Sequence, residues 1–314
     1  MTLQPVQSLE DRLKWPRSGF MKWKDSYHPY AMTTIAFWSL AFVFTRLALQ
    51  YFSPFSLGFL RYFTASLTLA AVAFFTKMQL PKKRDLPLFL VSGALGFFLY
   101  MIVFNLGSQA VTAATGSVII ATVPVMTALL ARVIYKERLC GIQWLAIPVE
   151  FAGILVLVLQ HDGLTVNTGT LWLLLAAAAL SSYNLLQRRL TKTYSALQAS
   201  TFSIFAGTLM LCVFAPSAIS EMRQAPAIQF FYIAVLGIFS SAIAYVAWSK
   251  AFSKADTATQ VSNYMFITPL LTSLLGFLLA NESPDAQTII GGAVILFGVL
   301  LFHYGGKRME YRKT

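Results

Sequence analysis

Ten stretches of this chain are apolar for about 20 residues at a time, each bounded by charges, glycine, proline or asparagine. A hydrocarbon core of roughly 30 Å takes about 20 helical residues to cross, so runs of this length constrain the fold before any motif is considered. They cover Tyr30–Leu49, Pro54–Thr76, Leu86–Gly107, Thr112–Ile134, Gly141–Leu159, Gly169–Gln187, Ala199–Pro216, Gln229–Trp248, Thr257–Ala280 and Ala286–Tyr304. Backbone amides and carbonyls in lipid must bond within the protein, which leaves helices or closed barrels. Barrel strands read as roughly ten-residue alternating segments, and these runs are too long and too uniformly apolar for that. The expectation is an all-α integral membrane protein with ten transmembrane helices.

Loop charge sets the orientation. All but Arg46, Arg61 and Arg223 of the 24 lysines and arginines fall on alternate connections, and cytoplasmic loops retain positive charge, so both termini are expected in the cytoplasm. The net charge of +12 is thereby explained by topology. The basic residues are dispersed among short juxtamembrane segments and form no nucleic-acid footprint. Residues 1–29 form a basic segment without a run of signal-peptide length, so the first span is expected to act as an uncleaved insertion signal. On this topology Cys140 and Cys212 lie at opposite faces and cannot pair.

The chain also repeats itself. PVMTALLARVIYKE, beginning at Pro124, returns 145 positions later as PLLTSLLGFLLANE from Pro269. The same offset pairs Tyr100 with Tyr245, Thr127 with Thr272, Glu137 with Glu282 and Gly153 with Gly298. It carries spans three to five onto eight to ten, which divides the chain into five-helix halves at 30–160 and 169–304, with a basic tail at 305–314. Five crossings is an odd number, so the second half enters from the opposite side and the repeat has inverted topology. Such a pair can exchange the conformations of its halves and open alternately to either side.

These features together resemble the drug/metabolite transporter superfamily, in its EamA-domain branch of ten-helix bacterial exporters. The resemblance rests on AFWSLAFVFTRLALQYFSPFSLGFLRYFTAS with Trp38, Arg46, Pro54 and Arg61, on both Pro-to-Glu phrases, and on FSSAIAYVAWSKAFSKADTATQ. It implies outward secondary transport of small metabolites, often amino acids, across a prokaryotic cytoplasmic membrane. It also implies a cavity lined by spans one, three, four, six, eight and nine, with five and ten peripheral. Two departures are visible, the basic N-terminal extension and an acid in span five.

Several side chains stand out at membrane depth. Pro124 and Pro269 fall near mid-span, where proline deletes a hydrogen bond and frees a carbonyl, here of Ile120 and Met265, so they are candidate hinges. Glu150 lies in WLAIPVEFAGILVLV far from any other charge, and a carboxylate there costs at least about 2.5 kcal/mol, so it should be paired, wet or protonated. It is a possible proton-coupling site, or a neutral acid bonded to a neighbouring helix. Arg61 either holds a substrate carboxylate or serves the structure, and Arg46 reads as an interfacial anchor whose long side chain snorkels. Glu137 and Glu282 read as helix-end caps or ion-pair partners. Trp38, Tyr100, Asn105, Tyr183, Asn184, Ser240, Ser241, Tyr245, Asn263 and Tyr264 are the cavity candidates, since polar-tipped aromatics offer an amphipathic solute a wall and a hydrogen bond together.

Other chemistry finds little footing. There is no Walker loop, and His28, His161 and His303 are scattered, so neither ATP drive, a cofactor nor a metal is expected. The expected partners are a small-molecule substrate and the bilayer, the expected state a monomer with a dimer left open. Proton coupling and facilitated diffusion both remain open. The rivals are a nucleotide-sugar or other metabolite antiporter, which needs more cavity cations than Arg61, and an intramembrane enzyme built on Glu150.

Overall fold

The computed structural model describes residues 26–136, 139–158, 167–255 and 258–311, and every described element is helical. Eight helices are long and apolar enough to cross a membrane. They are α1 (His28–Ala48), α2 (Pro54–Phe75), α3 (Lys83–Ala110), α4 (Ala113–Tyr135), α6 (Thr168–Leu190), α7 (Ala196–Met222), α8 (Ala227–Lys254) and α9 (Gln260–Ala280). Between and after them lie α5 (Gly141–Val158) and α10 (Ala286–Tyr311), whose described apolar stretches are shorter. This is an all-helical membrane protein. Glu137, Arg138, His161, the side chain of His303 and the terminal basic residues outside these bounds lie beyond the described residues.

The helix starts are written locally. Ser53, Thr112 and Ser195 each accept a backbone N–H from the third residue onward, Pro54 occupies the first turn of α2, and Gln198 completes a reciprocal cap at the start of α7. Several helices outrun the apolar stretches expected of them. α7 starts at Ala196, ahead of its apolar run, because Ser195 and Gln198 cap it there, and it continues through a 3₁₀ turn at Cys212–Phe214 to Met222.

α4 and α9 are each broken near the middle. α4 is helical to Ile120, turns at Ala121 and Thr122, and resumes at Val123; α9 tightens to a 3₁₀ turn over Asn263–Ile267 and resumes at Thr268. Pro124 and Pro269 therefore occupy the first turn of a second helical piece, where a missing N–H costs nothing, and not the unbroken mid-helix position expected from sequence. The carbonyl of Met265 accepts the Thr268 N–H. Both pieces end on a left-handed residue, Lys136 (φ 56°) and Asn281 (φ 52°), one position before the repeated glutamate. α3 and α8 likewise share a feature, a π-helical stretch at Ala94–Leu99 and at Val235–Ile243.

Glycines set how closely the helices approach. α5 packs chiefly on α10: a methyl on Gly153 would lie 2.7 Å from Cγ1 of Ile295, and one on Gly298 would lie 3.0 Å from Cβ of Glu150. Those two contacts exchange under the repeat, since Gly153 matches Gly298 and Glu150 matches Ile295. α2 meets α8 where Gly237 stands against Thr64, α3 meets α7 at Gly93 and Gly207, and α3 meets α6 at Gly96, beneath the Tyr183 ring. A methyl on Gly237 would sit 2.5 Å from Cβ of Thr64, whereas one on Gly116 would find only Phe42 and Leu173 carbons at 3.6 Å or more. Gly237→Ala should therefore lower the thermal midpoint in detergent by an amount equivalent to about 1–3 kcal/mol of overpacking. Gly116→Ala should leave it unchanged or raise it, and equal midpoints for the two variants would contradict this packing.

Candidate functional site

At the centre of the bundle α1 presents Trp38, Ala41 and Phe42, α2 Arg61, α3 Tyr100 and Phe104, and the broken helices Ile120 of α4 with Met265 and Thr268 of α9. The cavity they line has room for about one water molecule, so the centre is occluded in this conformation. Both helix breaks open onto it, because Ile120 and Met265 are the residues just ahead of the two prolines' turns.

Arg61 is its only charged lining residue, and the side chain is buried, 3% exposed. Its Nε donates to Ser241 Oγ at 2.7 Å, and the guanidinium carbon lies 5.8 Å from the Tyr62 ring centroid. Among the described residues no carboxylate forms an ion pair with it. A guanidinium cannot discharge itself by losing a proton, so burial leaves it with donors to satisfy and a charge to balance. The buried Thr268 Oγ1, which also lines the cavity, has no hydrogen-bond partner among the described residues. The site thus combines a cation with a free hydroxyl in an aromatic and aliphatic wall.

The floor is a pile of rings. Tyr245 lies 5.0 Å from Trp38, 4.9 Å from Phe97, 5.8 Å from Tyr183 and 6.4 Å from Tyr62, centroid to centroid, and Trp248 packs on Trp38 at 5.0 Å. Trp38 Nε1 donates to the Ser240 carbonyl at 3.1 Å, and the Ser240 hydroxyl donates to the Phe37 carbonyl at 2.9 Å, so α1 and α8 are stitched in both directions. Beneath the rings runs a buried polar layer. Trp248 Nε1 donates to Asn184 Oδ1 at 3.0 Å, Asn184 reaches Thr127 and Ser262, and Gln187, Ser200 and Ser249 bond one another.

The end of the bundle opposite the basic connections is held by a charged knot. Arg46 Nε donates to Glu282 Oε1 at 3.0 Å, its Nη1 donates to the carbonyls of Ser108 and Gln109, and Glu282 Oε2 accepts the Ala113 N–H at 2.8 Å. One carboxylate thus balances Arg46 and caps the start of α4, where the helix dipole favours negative charge. Arg46 is accordingly no free-snorkelling anchor, because the left-handed turn at Asn281 aims Glu282 back at it. Nearby, Glu221 accepts the Ser53 N–H at 2.9 Å.

Of the residues singled out from sequence, the structure gathers Trp38, Arg61, Tyr100, Ser241 and Tyr245 at or just below the cavity. Asn105 donates to the Pro54 carbonyl and joins α3 to α2, Asn184 belongs to the polar layer, and Tyr264 pairs with His28. Tyr183 lies against Gly96 within the ring pile. Glu150 faces α10 at Gly298 and does not line the cavity; it is buried, with Oε1 unpartnered. Sequence reasoning missed Tyr62, Phe104 and Thr268, and named Met265 only for its freed carbonyl. The signal available for the last two was their place beside Pro269, and for Tyr62 its place beside Arg61.

The model of the EamA-like transporter family matches residues 26–159 and again 167–304. The chain belongs to the EamA-like transporter family. Among relatives of this EamA-like protein is the uncharacterized transporter YdfC of Bacillus subtilis, 32% identical over 88% of this chain and 90% of its own length. A probable terminal-alkyne amino-acid exporter of Streptantibioticus cattleyicolor is 29% identical over 88% of this chain and 94% of its own. An S-adenosylmethionine uptake transporter of Rickettsia prowazekii is 26% identical over 81% and 84%. One solved crystal structure shares the fold at a TM-score of 0.62 and 20% identity, covering 90% of this chain and 98% of its own.

The knot at Arg46 is partly buried, with side-chain exposures of 29% and 18%. Arg46→Ala and Glu282→Ala should each lower the thermal midpoint, and the double variant should fall short of their sum by a coupling of roughly 0.5–1 kcal/mol. Strictly additive losses would show that the pair contributes nothing.

Proposed function

We propose that this EamA-like protein is a secondary transporter that exports small amphipathic metabolites carrying a carboxylate, amino acids first among them, by alternating access. The observation that carries the substrate class is Arg61: a buried guanidinium lining the central cavity, held on one side by Ser241, with no acid paired to it among the described residues. A carboxylate is the complement of its planar fork, and the surrounding rings suit an apolar side chain. A relative named as a probable terminal-alkyne amino-acid exporter supports the same class and direction.

Alternating access is supported by the likeness of the halves. Both proline phrases begin a second helical piece and end on a left-handed residue, and α3 and α8 carry matching π-helical stretches. The α5–α10 contact, in which Gly153 meets Ile295 and Gly298 meets Glu150, has the reciprocity expected of an inverted pair. In this reading all ten helices cross the membrane with both termini cytoplasmic, and the segments after Ala121 and Ile267 rotate about their breaks. Pro124 and Pro269 fix where they turn. The occluded centre is then the intermediate between the two open forms, with the Arg46–Glu282 knot closing the outer side.

The test is counterflow of labelled amino acids into proteoliposomes, run beside the amines that lack the carboxylate. Arg61→Gln should cut amino-acid flux at least about tenfold, the worth of a charge-assisted hydrogen-bonded pair, while Arg61→Lys retains part of it. Equal flux of amino acids and amines in the unmodified protein, or amino-acid flux that survives Arg61→Gln, would overturn the carboxylate reading.

A further inference from the structure

α2 and α8 meet at a close glycine contact. Gly237 lies against Thr64, and beyond them, toward the basic end, the helices part to leave a groove of about 520 Å³ on the outside of the bundle. That is within the roughly 300–1,000 Å³ typical of ligand pockets. Leu69 and Val72 of α2 form one wall and Ile243 and Val246 of α8 the other. The start of α7, Ser195–Leu197, closes the basic end with Tyr30 of α1.

Its polarity runs in one direction. The walls are apolar but for Thr68, and among the described lining residues the single charge is Lys250, two turns beyond Ile243 on α8 and exposed to solvent. None of those described residues is an acid. Neighbouring Lys254 is engaged over the Tyr30 ring, 5.8 Å from its centroid, and the backbone N–H of Ser195 is taken by Gln198. Lys250 is therefore the group left to meet a ligand at the mouth.

From this geometry we propose that the groove binds an anionic phospholipid of the leaflet on the basic side. An acyl chain lies between α2 and α8, and the headgroup phosphate lies at Lys250. An uncharged surface groove would take any lipid tail. A lysine at headgroup level, on the side where anionic lipids and juxtamembrane cations meet, adds a preference for negative charge. Because α8 also carries Ser241 and Tyr245, the lipid sits behind the wall that positions Arg61. A lipid wedged between α2 and α8 there would bear on the helix pair that holds the buried cation.

Native mass spectrometry of the full-length protein tests this without any flux measurement, so its outcome is independent of the transport reading. The delipidated protein is offered equal amounts of phosphatidylglycerol and phosphatidylcholine with the same acyl chains, and the retained molecules are counted. The expected result is retention of phosphatidylglycerol over phosphatidylcholine by about fivefold, the preference that one lysine near the membrane surface confers. Lys250→Ala should abolish that preference; Lys250→Arg and the remote Lys83→Ala should keep it. Val246→Trp, which fills the groove, should reduce retention of both lipids while leaving the thermal midpoint near that of the unmodified protein. Equal retention of the two lipids by the unmodified protein, an undiminished preference in Lys250→Ala, or full retention of both by a well-folded Val246→Trp would each overturn the proposal.

Discussion

A backbone that leaves a helix inside hydrocarbon must find every lost hydrogen bond within the protein, and this architecture depends on meeting that demand at two places. α4 and α9 break where they border the central cavity. In α9 the Thr268 N–H covers the Met265 carbonyl, and in α4 Thr122 Oγ1 bonds the carbonyl of Ile119 at 2.7 Å. The broken segments stand next to a polar centre packed against α1, α6 and each other. Breaks without that wall would be exposed to lipid and too costly to keep.

The same demand explains the uneven treatment of charge. Arg46 and Glu282 meet at the rim, where backbone groups of Ser108, Gln109 and Ala113 complete their hydrogen bonds. Arg61, far deeper, receives a serine hydroxyl and a ring but no acid among the described residues. Glu150 takes the position that its repeat partner Ile295 occupies in the reciprocal contact, against a glycine of the opposing helix. A carboxyl in an isoleucine's place belongs first to the packing of α5 on α10, which sets it apart from the cavity.

The all-helical class and the eight membrane-length helices were legible in sequence because apolar run length is a local quantity. Trp38, Arg61, Tyr100 and Tyr245 stood out for a similar reason, as polar or polar-tipped side chains within such runs. Helix ends were less legible, since Ser195 with Gln198 starts α7 ahead of its apolar run. The prolines were read as interrupting continuous helices, because nothing in sequence says that Ala121 and Thr122 have already turned the chain. Partnerships across the bundle were invisible for a plain reason: Arg46 and Glu282 are 236 positions apart, as are His28 and Tyr264. Asn105 and Asn184 have the composition of ligand contacts, yet tertiary packing uses them to join helices.

The filled centre has a consequence for the cell that houses the protein. Protons cross proteins along files of hydrogen-bonded water, and a cavity with room for about one molecule, walled by Phe42, Phe104 and Ile120, cannot hold such a file. The ring pile beneath it, from Trp38 through Tyr245 to Tyr183, extends the dry plug. Among the described residues this conformation leaves the centre without room for such a file. A copy held in this state therefore gives the ion gradients of its membrane little path through that centre.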